Sequence, residues 1–158
     1  MPSDRWKIFF HRSFLELYTD MVNVVETLKE RDPTLYQNMF RAKQLVRIQS
    51  AIREVCIDPD HPKYRLGKSL GEVHTDWRRV KIGERYRLFF RFFSDKNEIY
   101  FVWINDESTL RKKGNRDDVY KVFAAKLDHE DFPADRDALV KQSEANETPP
   151  PLSTPPKA

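Results

Sequence analysis

From Asp76 to Phe93, basic and apolar residues alternate on either side of Gly83, as in Arg79-Val80-Lys81-Ile82 and Arg85-Tyr86-Arg87-Leu88. Alternation at period two predicts a β-hairpin with one oily face and one cationic face. Its register decides what the cations are for. A two-residue turn at Gly83-Glu84 sets Arg79 and Lys81 opposite Leu88 and Tyr86, on the face of Phe90 and Phe92, and buries both charges. A three-residue loop from Ile82 to Glu84 instead pairs Lys81 with Arg85 and Arg79 with Arg87. An unpaired buried charge costs far more than one extra loop residue, so the longer loop is expected. Arg79, Lys81, Arg85, Arg87 and Arg91 then share one face, and Val80, Tyr86, Leu88, Phe90 and Phe92 form the core face. Phe89 and Phe93 fall on the basic side, where they either stack on nucleic-acid bases or pack at an edge.

Upstream, Phe14, Leu17, Met21, Val24, Val25 and Leu28 recur at helical spacing behind a capping box at Ser13-Phe14-Leu15-Glu16, predicting a first helix that ends near Arg31. Asp32-Pro33 supplies a cap and a first-turn proline for a second helix, with Met39, Ala42, Leu45, Val46, Ile48, Ile52 and Val55 as its stripe. The pair reads as an antiparallel helical hairpin, broken at Asp58-Pro59-Asp60-His61-Pro62 and followed by a basic loop from Lys63 to Thr75. After a turn at Ser94-Asp95-Lys96-Asn97, the run Glu98 to Ile104 is apolar on both faces, as suits a central or covered strand. A last helix is expected from Arg116 to about His129, with Tyr120, Phe123, Ala124 and Leu127 on one side.

The expected class is therefore α+β: an N-terminal antiparallel helical hairpin packed on an antiparallel β-sheet, closed by a C-terminal helix. Residues 1–135 form the one domain. Residues 136–158, acidic and then Pro-rich, have too little apolar surface to offset ordering and are expected to be disordered.

Composition changes this picture in three ways. With 158 residues, 39% of them hydrophobic and 13% aromatic, the chain can bury one good core. No apolar run approaches bilayer length and the first residues hold no signal-peptide core, so a cytoplasmic protein without membrane attachment is expected. The net charge of +3 hides an asymmetry: residues 61–126 carry 16 Lys and Arg against 9 Asp and Glu, whereas residues 127–158 carry 3 against 7. A basic middle third calls for an anionic partner such as RNA or DNA. Cys56, among Ile52, Val55 and Ile57, reads as a small core hydrophobe. His11, His61 and His129 show no ligand spacing, so neither a metal nor a cofactor is expected. His74, just before the first strand of the hairpin, is either a general base or an exposed loop residue.

Five segments, taken in order, resemble the YhaV toxins of bacterial type II toxin–antitoxin pairs, within the wider RelE-like group of mRNA endonucleases. They are Gly67-Lys68-Ser69-Leu70-Gly71, Asp76-Trp77 through Arg79-Val80-Lys81, Arg85 through Arg91, Trp103-Ile104-Asn105-Asp106-Glu107 and Thr109-Leu110-Arg111. The resemblance spans about residues 5–135. It implies a RelE-like fold, with RNA cleaved on the exposed face of the sheet by 2′-hydroxyl attack on the neighbouring phosphate, without metal, leaving a 2′,3′-cyclic phosphate. It also implies neutralisation by a PrlF-type antitoxin of swapped-hairpin fold, action on mRNA at or away from the ribosome, and operator DNA binding only together with the antitoxin.

Such chemistry needs a proton acceptor, cations around the phosphorane and a donor to the leaving 5′-oxygen. By family motif the basic strand residues map to Arg79, Lys81 and Arg87, the same three that the register argument places on one face. Arg87 suits a phosphate clamp, because a guanidinium fork binds a phosphoryl group bidentately, and Arg79 is its neighbour across the strands. Lys81 can exchange a proton and is the candidate for proton transfer. Arg85 belongs to the same row. In the wider group a tyrosine at the start of the last helix, with basic residues before it, holds RNA and protonates the leaving group. Here that place is taken by Tyr120, with Arg111 and Arg116 upstream, although Tyr120 reads equally as a core aromatic. Lys68, Arg91, Lys112 and Lys113 are candidates for RNA binding. Asp117 and Asp118 read as helix-dipole residues, since carboxylates beside a phosphate oppose binding. Two alternatives remain: a solvated basic strand face with no site, and a non-catalytic nucleic-acid-binding module that acts on its operator with an antitoxin.

Overall fold

The computed structural model describes residues 6–67, 69–71, 73–106, 109–112 and 118–145. A strand that the hydrophobic pattern does not announce, β1 (Lys7–His11), opens the described chain and runs straight into α1 (Arg12–Arg31). The cap of α1 is His11 rather than Ser13: His11 Nδ1 accepts the Ser13 N–H at 3.0 Å. Helix α2 (Phe40–Ile57) begins well after Asp32-Pro33. Asp32 Oδ1 instead accepts the Leu35 N–H at 3.1 Å, closing a turn that leads into a short 3-10 segment, Tyr36–Asn38. Within α2 the expected stripe is buried at Ala42, Leu45, Ile48, Ile52 and Val55, while Met39 stays exposed. Cys56 is buried and desolvation pushes its thiol up to about 12, which leaves it inert core.

The remaining elements are β2 (Arg78–Ile82), β3 (Tyr86–Phe93), β4 (Glu98–Ile104), α3 (Val119–Asp128), α4 (Arg136–Lys141) and β5 (Ser143–Ala145). The strand order is β2-β3-β4-β1-β5. Because β1 pairs parallel with β4 and antiparallel with β5, the sheet is mixed, not antiparallel as expected. Both α4 and β5 lie past residue 135, where the acidic tail was expected to start. Leu139 is fully buried there, and Arg136 holds the buried Glu98 of β4 through Nε at 2.7 Å and Nη2 at 2.8 Å.

The β2–β3 loop has three residues, but one position later than expected. Lys81 pairs with Arg87 and Arg79 with Phe89, leaving Gly83, Glu84 and Arg85 as the turn. Gly83 adopts φ 66, a conformation suited to a residue without a side chain. Sliding the loop by one residue moves the pairing by two, so strand parity is unchanged and Arg79, Lys81, Arg87 and Arg91 still share a face.

Each face of the sheet carries a core. One gathers Phe10, Phe14, Tyr18, Leu45, Ile48, Ile52, Leu88, Phe90 and Phe101 beneath α1 and α2. The other gathers Leu66, Leu70, Trp77, Phe89, Trp103, Phe123 and Leu139 beneath α3, α4 and the loop before β2. A bulge at Phe89/Phe90 pairs Phe89 with Trp103 and Phe90 with Phe101, so Val102 and Trp103 both turn toward the second core. The cationic face is thus largely covered, where an exposed sheet face was expected. Phe89 has no exposed surface and stacks on Phe123 at 3.9 Å, so it is a core residue and unavailable to bases. No helix among the described residues is long and apolar enough to cross a membrane.

Candidate active site

Where the covering layer ends, at the hairpin end of β2 and β3, three elements converge on one phenol. The Tyr120 hydroxyl accepts from Arg79 Nε at 2.9 Å and from Arg87 Nε at 3.0 Å. The Arg111 guanidinium lies 4.7 Å from the Tyr120 ring centre. Helix α3 supplies Tyr120 because its cap is Asp118, whose Oδ2 accepts the Tyr120 N–H at 3.1 Å. The other oxygen of Asp118 pairs with Arg111 Nη1 at 2.8 Å and accepts the Lys112 N–H. Burial pushes the Asp118 carboxyl up, but Arg111 and the two N–H donors outweigh it and hold it below the usual carboxylate range. Asp118 therefore fixes the helix start and the Arg111 side chain together, a larger role than the dipole reading gave it.

Asn105 holds the base of the site. Nearly fully buried, it accepts the Arg87 N–H at 2.7 Å and donates to the carbonyls of Arg85 at 3.2 Å and Thr109 at 2.9 Å. With the Arg111 N–H donating to the Arg85 carbonyl at 3.0 Å, the segment carrying Arg111 is tied to the start of β3. Asn105 was legible only as part of a motif. Its one bottom-up signal is a polar residue ending a strand that is otherwise apolar on both faces.

The strand cations do not form one row. Arg79 is half-buried and spans to the Lys63 carbonyl at 2.8 Å, while Arg87 is only 6% exposed and also donates to the Tyr86 carbonyl at 2.9 Å. No carboxylate among the described residues pairs with either arginine. Lys81, beside Arg87 across the strands, and Arg85 in the turn are both exposed. Arg91 is not brought to this cluster. It lies over Phe93 at 4.9 Å and Trp77 at 5.8 Å, donates to the Ala134 carbonyl and sits 3.5 Å from Asp76. Phe93 also packs edge-on against Tyr100 at 5.7 Å. His74 is likewise elsewhere, bound through Nε2 to Asp128 at 2.8 Å. Lys112 is exposed, while Lys68, Lys113, Arg116 and Asp117 lie outside the described residues. Tyr120 combines both sequence readings: its ring packs edge-on to Phe89 at 6.0 Å and its hydroxyl faces the arginines. Among the described residues no three His, Cys, Asp or Glu side chains come together as a ligand set.

Two guanidiniums aimed at one phenol oxygen, with a third on its ring, concentrate positive potential of the kind that suits an anionic group. The phenol oxygen accepts both N–H groups and keeps its own O–H to donate.

Residues 8–144 match a family described as a toxin with endonuclease activity, of a toxin–antitoxin system. The chain is 42% identical over 142 residues to the Ribonuclease toxin YhaV of Escherichia coli strain K12, covering 88% of this chain and 92% of that protein. It is similarly 42% identical to the Toxin YhaV of Escherichia coli O157:H7 and 41% identical to that of Escherichia coli O6:H1, with the same coverage. No solved structure gives a significant match. With the family matched over nearly the whole described chain, this protein belongs to the YhaV toxins, endonucleases of toxin–antitoxin systems.

Proposed function

We propose that this chain cleaves mRNA in the cytoplasm without a metal ion, by attack of a ribose 2′-hydroxyl on the adjacent phosphate, and that the Arg79–Arg87–Tyr120 cluster is the site. The observation that carries this reading is the convergence of two arginine Nε groups on one phenol oxygen, at 2.9 and 3.0 Å. In this scheme the guanidiniums swing part of their hydrogen bonding onto the non-bridging phosphate oxygens and gain strength as charge builds on the phosphorane. The 2′-hydroxyl proton passes to a base, for which Lys81 beside Arg87 is the candidate, the 2′-oxygen bonds to phosphorus, and the bond to the 5′-oxygen breaks. Tyr120 Oη–H protonates that leaving oxygen, so the products are a 2′,3′-cyclic phosphate and a 5′-hydroxyl. Arg111, stacked on the Tyr120 ring and anchored by Asp118, adds positive potential at the same oxygen. Arg85, exposed in the turn, and Lys112 extend the positive potential along the incoming strand, whether the mRNA is free or on the ribosome.

Membership of a toxin–antitoxin family brings an antitoxin, for which a PrlF-type partner is the proposal, with operator DNA bound only by the complex. Expression of the chain alone should arrest growth and fragment mRNA, and co-expression of the PrlF-type protein should restore both. Arrested growth with intact mRNA would return the chain to the class of non-catalytic nucleic-acid-binding modules.

A further inference from the structure

The first sixty residues are neutral as a block, which conceals a local excess: residues 33–53 hold Arg41, Lys43, Arg47 and Arg53 and no Asp or Glu. The same stretch contains three of the large apolar side chains left in solvent, Leu35 at 53%, Met39 at 38% and Phe40 at 50%. Helical spacing places Phe40, Lys43 and Arg47 along one ridge of α2, and that ridge meets the β2–β3 hairpin. The Phe40 ring lies 6.0 Å from the Tyr86 ring, and the Arg47 guanidinium lies 3.6 Å from where a side chain on Gly83 would begin. The patch therefore reaches the β2–β3 turn, on the sheet face opposite Tyr120. The Tyr86 carbonyl receives Arg87 Nη1, and the Arg85 carbonyl receives the Arg111 and Asn105 N–H groups.

Resting on the toxin reading, we propose that the ridge of α2 from Met39 to Arg47, with Leu35 and the β2–β3 turn, is the docking surface for an acidic amphipathic segment of the antitoxin. Charge complementarity selects an acidic partner, because Lys43 and Arg47 on the ridge and Arg85 on the turn outnumber the adjoining carboxylates, Asp32 beside Leu35 and Glu84 on the turn. The apolar content selects protein over RNA: a phosphate backbone gains nothing from Leu35 and Met39, whereas the oily side of an acidic helix or strand covers them. An occupant seated here meets the β2–β3 turn from the α2 side of the sheet, opposite Tyr120, so neutralisation acts through the turn that leads into Arg87 and needs no contact with the buried phenol. Exposed apolar side chains at the centre of such a patch are where binding energy concentrates.

The test uses the full chain with Leu35→Ser/Phe40→Ser and, separately, Arg47→Glu, none of which belongs to the cleavage cluster. Affinity for the purified PrlF-type antitoxin is measured by calorimetry, alongside cleavage of RNA by each free toxin and its thermal melting. Expected is a weakening of antitoxin binding by tenfold or more in both variants, with cleavage and melting retained. Antitoxin affinity within twofold of the parent overturns the proposal. So does unchanged antitoxin affinity with weakened RNA cleavage at normal melting, which would make the ridge a nucleic-acid surface. If the parent binds antitoxin but cleaves no RNA, the nuclease reading fails by itself and the affinity comparison still decides the docking site.

Discussion

Replacing Tyr120 by Phe removes one oxygen and leaves the ring in place against Phe89 and Arg111. That oxygen accepts from two guanidiniums, and its proton is the one proposed for the leaving group. Loss of a positioned general acid costs about 10²–10⁴ in rate, or about 2.7–5.5 kcal/mol of barrier. Stability falls less. Arg79 is half-exposed, so water replaces the phenol as acceptor, but the Arg87 Nε–H is buried and forfeits about 1–3 kcal/mol. Single-turnover cleavage, RNA binding by fluorescence anisotropy and urea unfolding of the variant separate these terms. The expected pattern is a rate loss of at least about 10²-fold with RNA affinity changed only a few-fold. A substrate whose leaving 5′-oxygen is replaced by sulfur needs little protonation and should recover most of the lost rate. A variant that cleaves the natural substrate within threefold of the parent refutes the assignment. One that stays slow on the sulfur substrate reduces Tyr120 to a residue that only orients the arginines.

Three further outcomes are expected. Arg87→Ala should abolish cleavage and also destabilise the fold, by about 1–3 kcal/mol in urea unfolding, because its buried bonds to Tyr120 and the Tyr86 carbonyl are lost, whereas Arg79→Ala should abolish cleavage at little cost in stability. Asn105→Ala removes three hydrogen bonds that tie Arg87 to the Arg111 segment and should cost about 2–4 kcal/mol, with the cleavage rate falling more than RNA affinity. His11 caps α1 through an unprotonated Nδ1 and therefore donates from Nε2 to Gln142 Oε1 at 2.7 Å. Burial lowers its pKa from the unfolded value of 6.5, so its contribution is present above that pH and is lost as pH falls from there through the folded value. In His11→Asn, which keeps an N-cap acceptor, the unfolding free energy between pH 7 and pH 5 should flatten; an unchanged slope would contradict this.

The hairpin was legible because alternation is a local property: Arg79, Lys81 and Arg87 share a face whichever three-residue loop is chosen, so an error of one residue in the turn displaced only Arg85, from the strand face into the turn. Both-face burial of β4 was legible for the same reason, in the run Ile99 to Ile104. What the sequence hid was non-local. Lys7 to Phe10 is too short and too mixed to declare a strand, and its partner is Glu98 to Phe101, some ninety residues away. The helix starts slipped because Ser13 and Asp32 are good caps by type, but His11 and a turn at Leu35 took those duties through tertiary and local bonds. The cover over the cationic face was hidden too. Phe89 on that face was a sign of a second core, and a loop bringing Leu66, Leu70 and Trp77 together with α3 answered it. Asn105 and Asp118 escaped notice as site residues because polar side chains next to an element end usually serve only that end.

Arg79, Arg87 and Tyr120 are proposed to carry out metal-free transfer of a phosphate to the neighbouring 2′-oxygen. This transfer is tested most directly by mass spectrometry of the ends left on a defined RNA by the purified chain in excess EDTA. Expected are 2′,3′-cyclic phosphate and 5′-hydroxyl ends from the parent chain, and intact RNA from Arg87→Ala under the same conditions. Ends bearing 5′-phosphate and 3′-hydroxyl, or cleavage that persists in Arg87→Ala, would contradict the proposal.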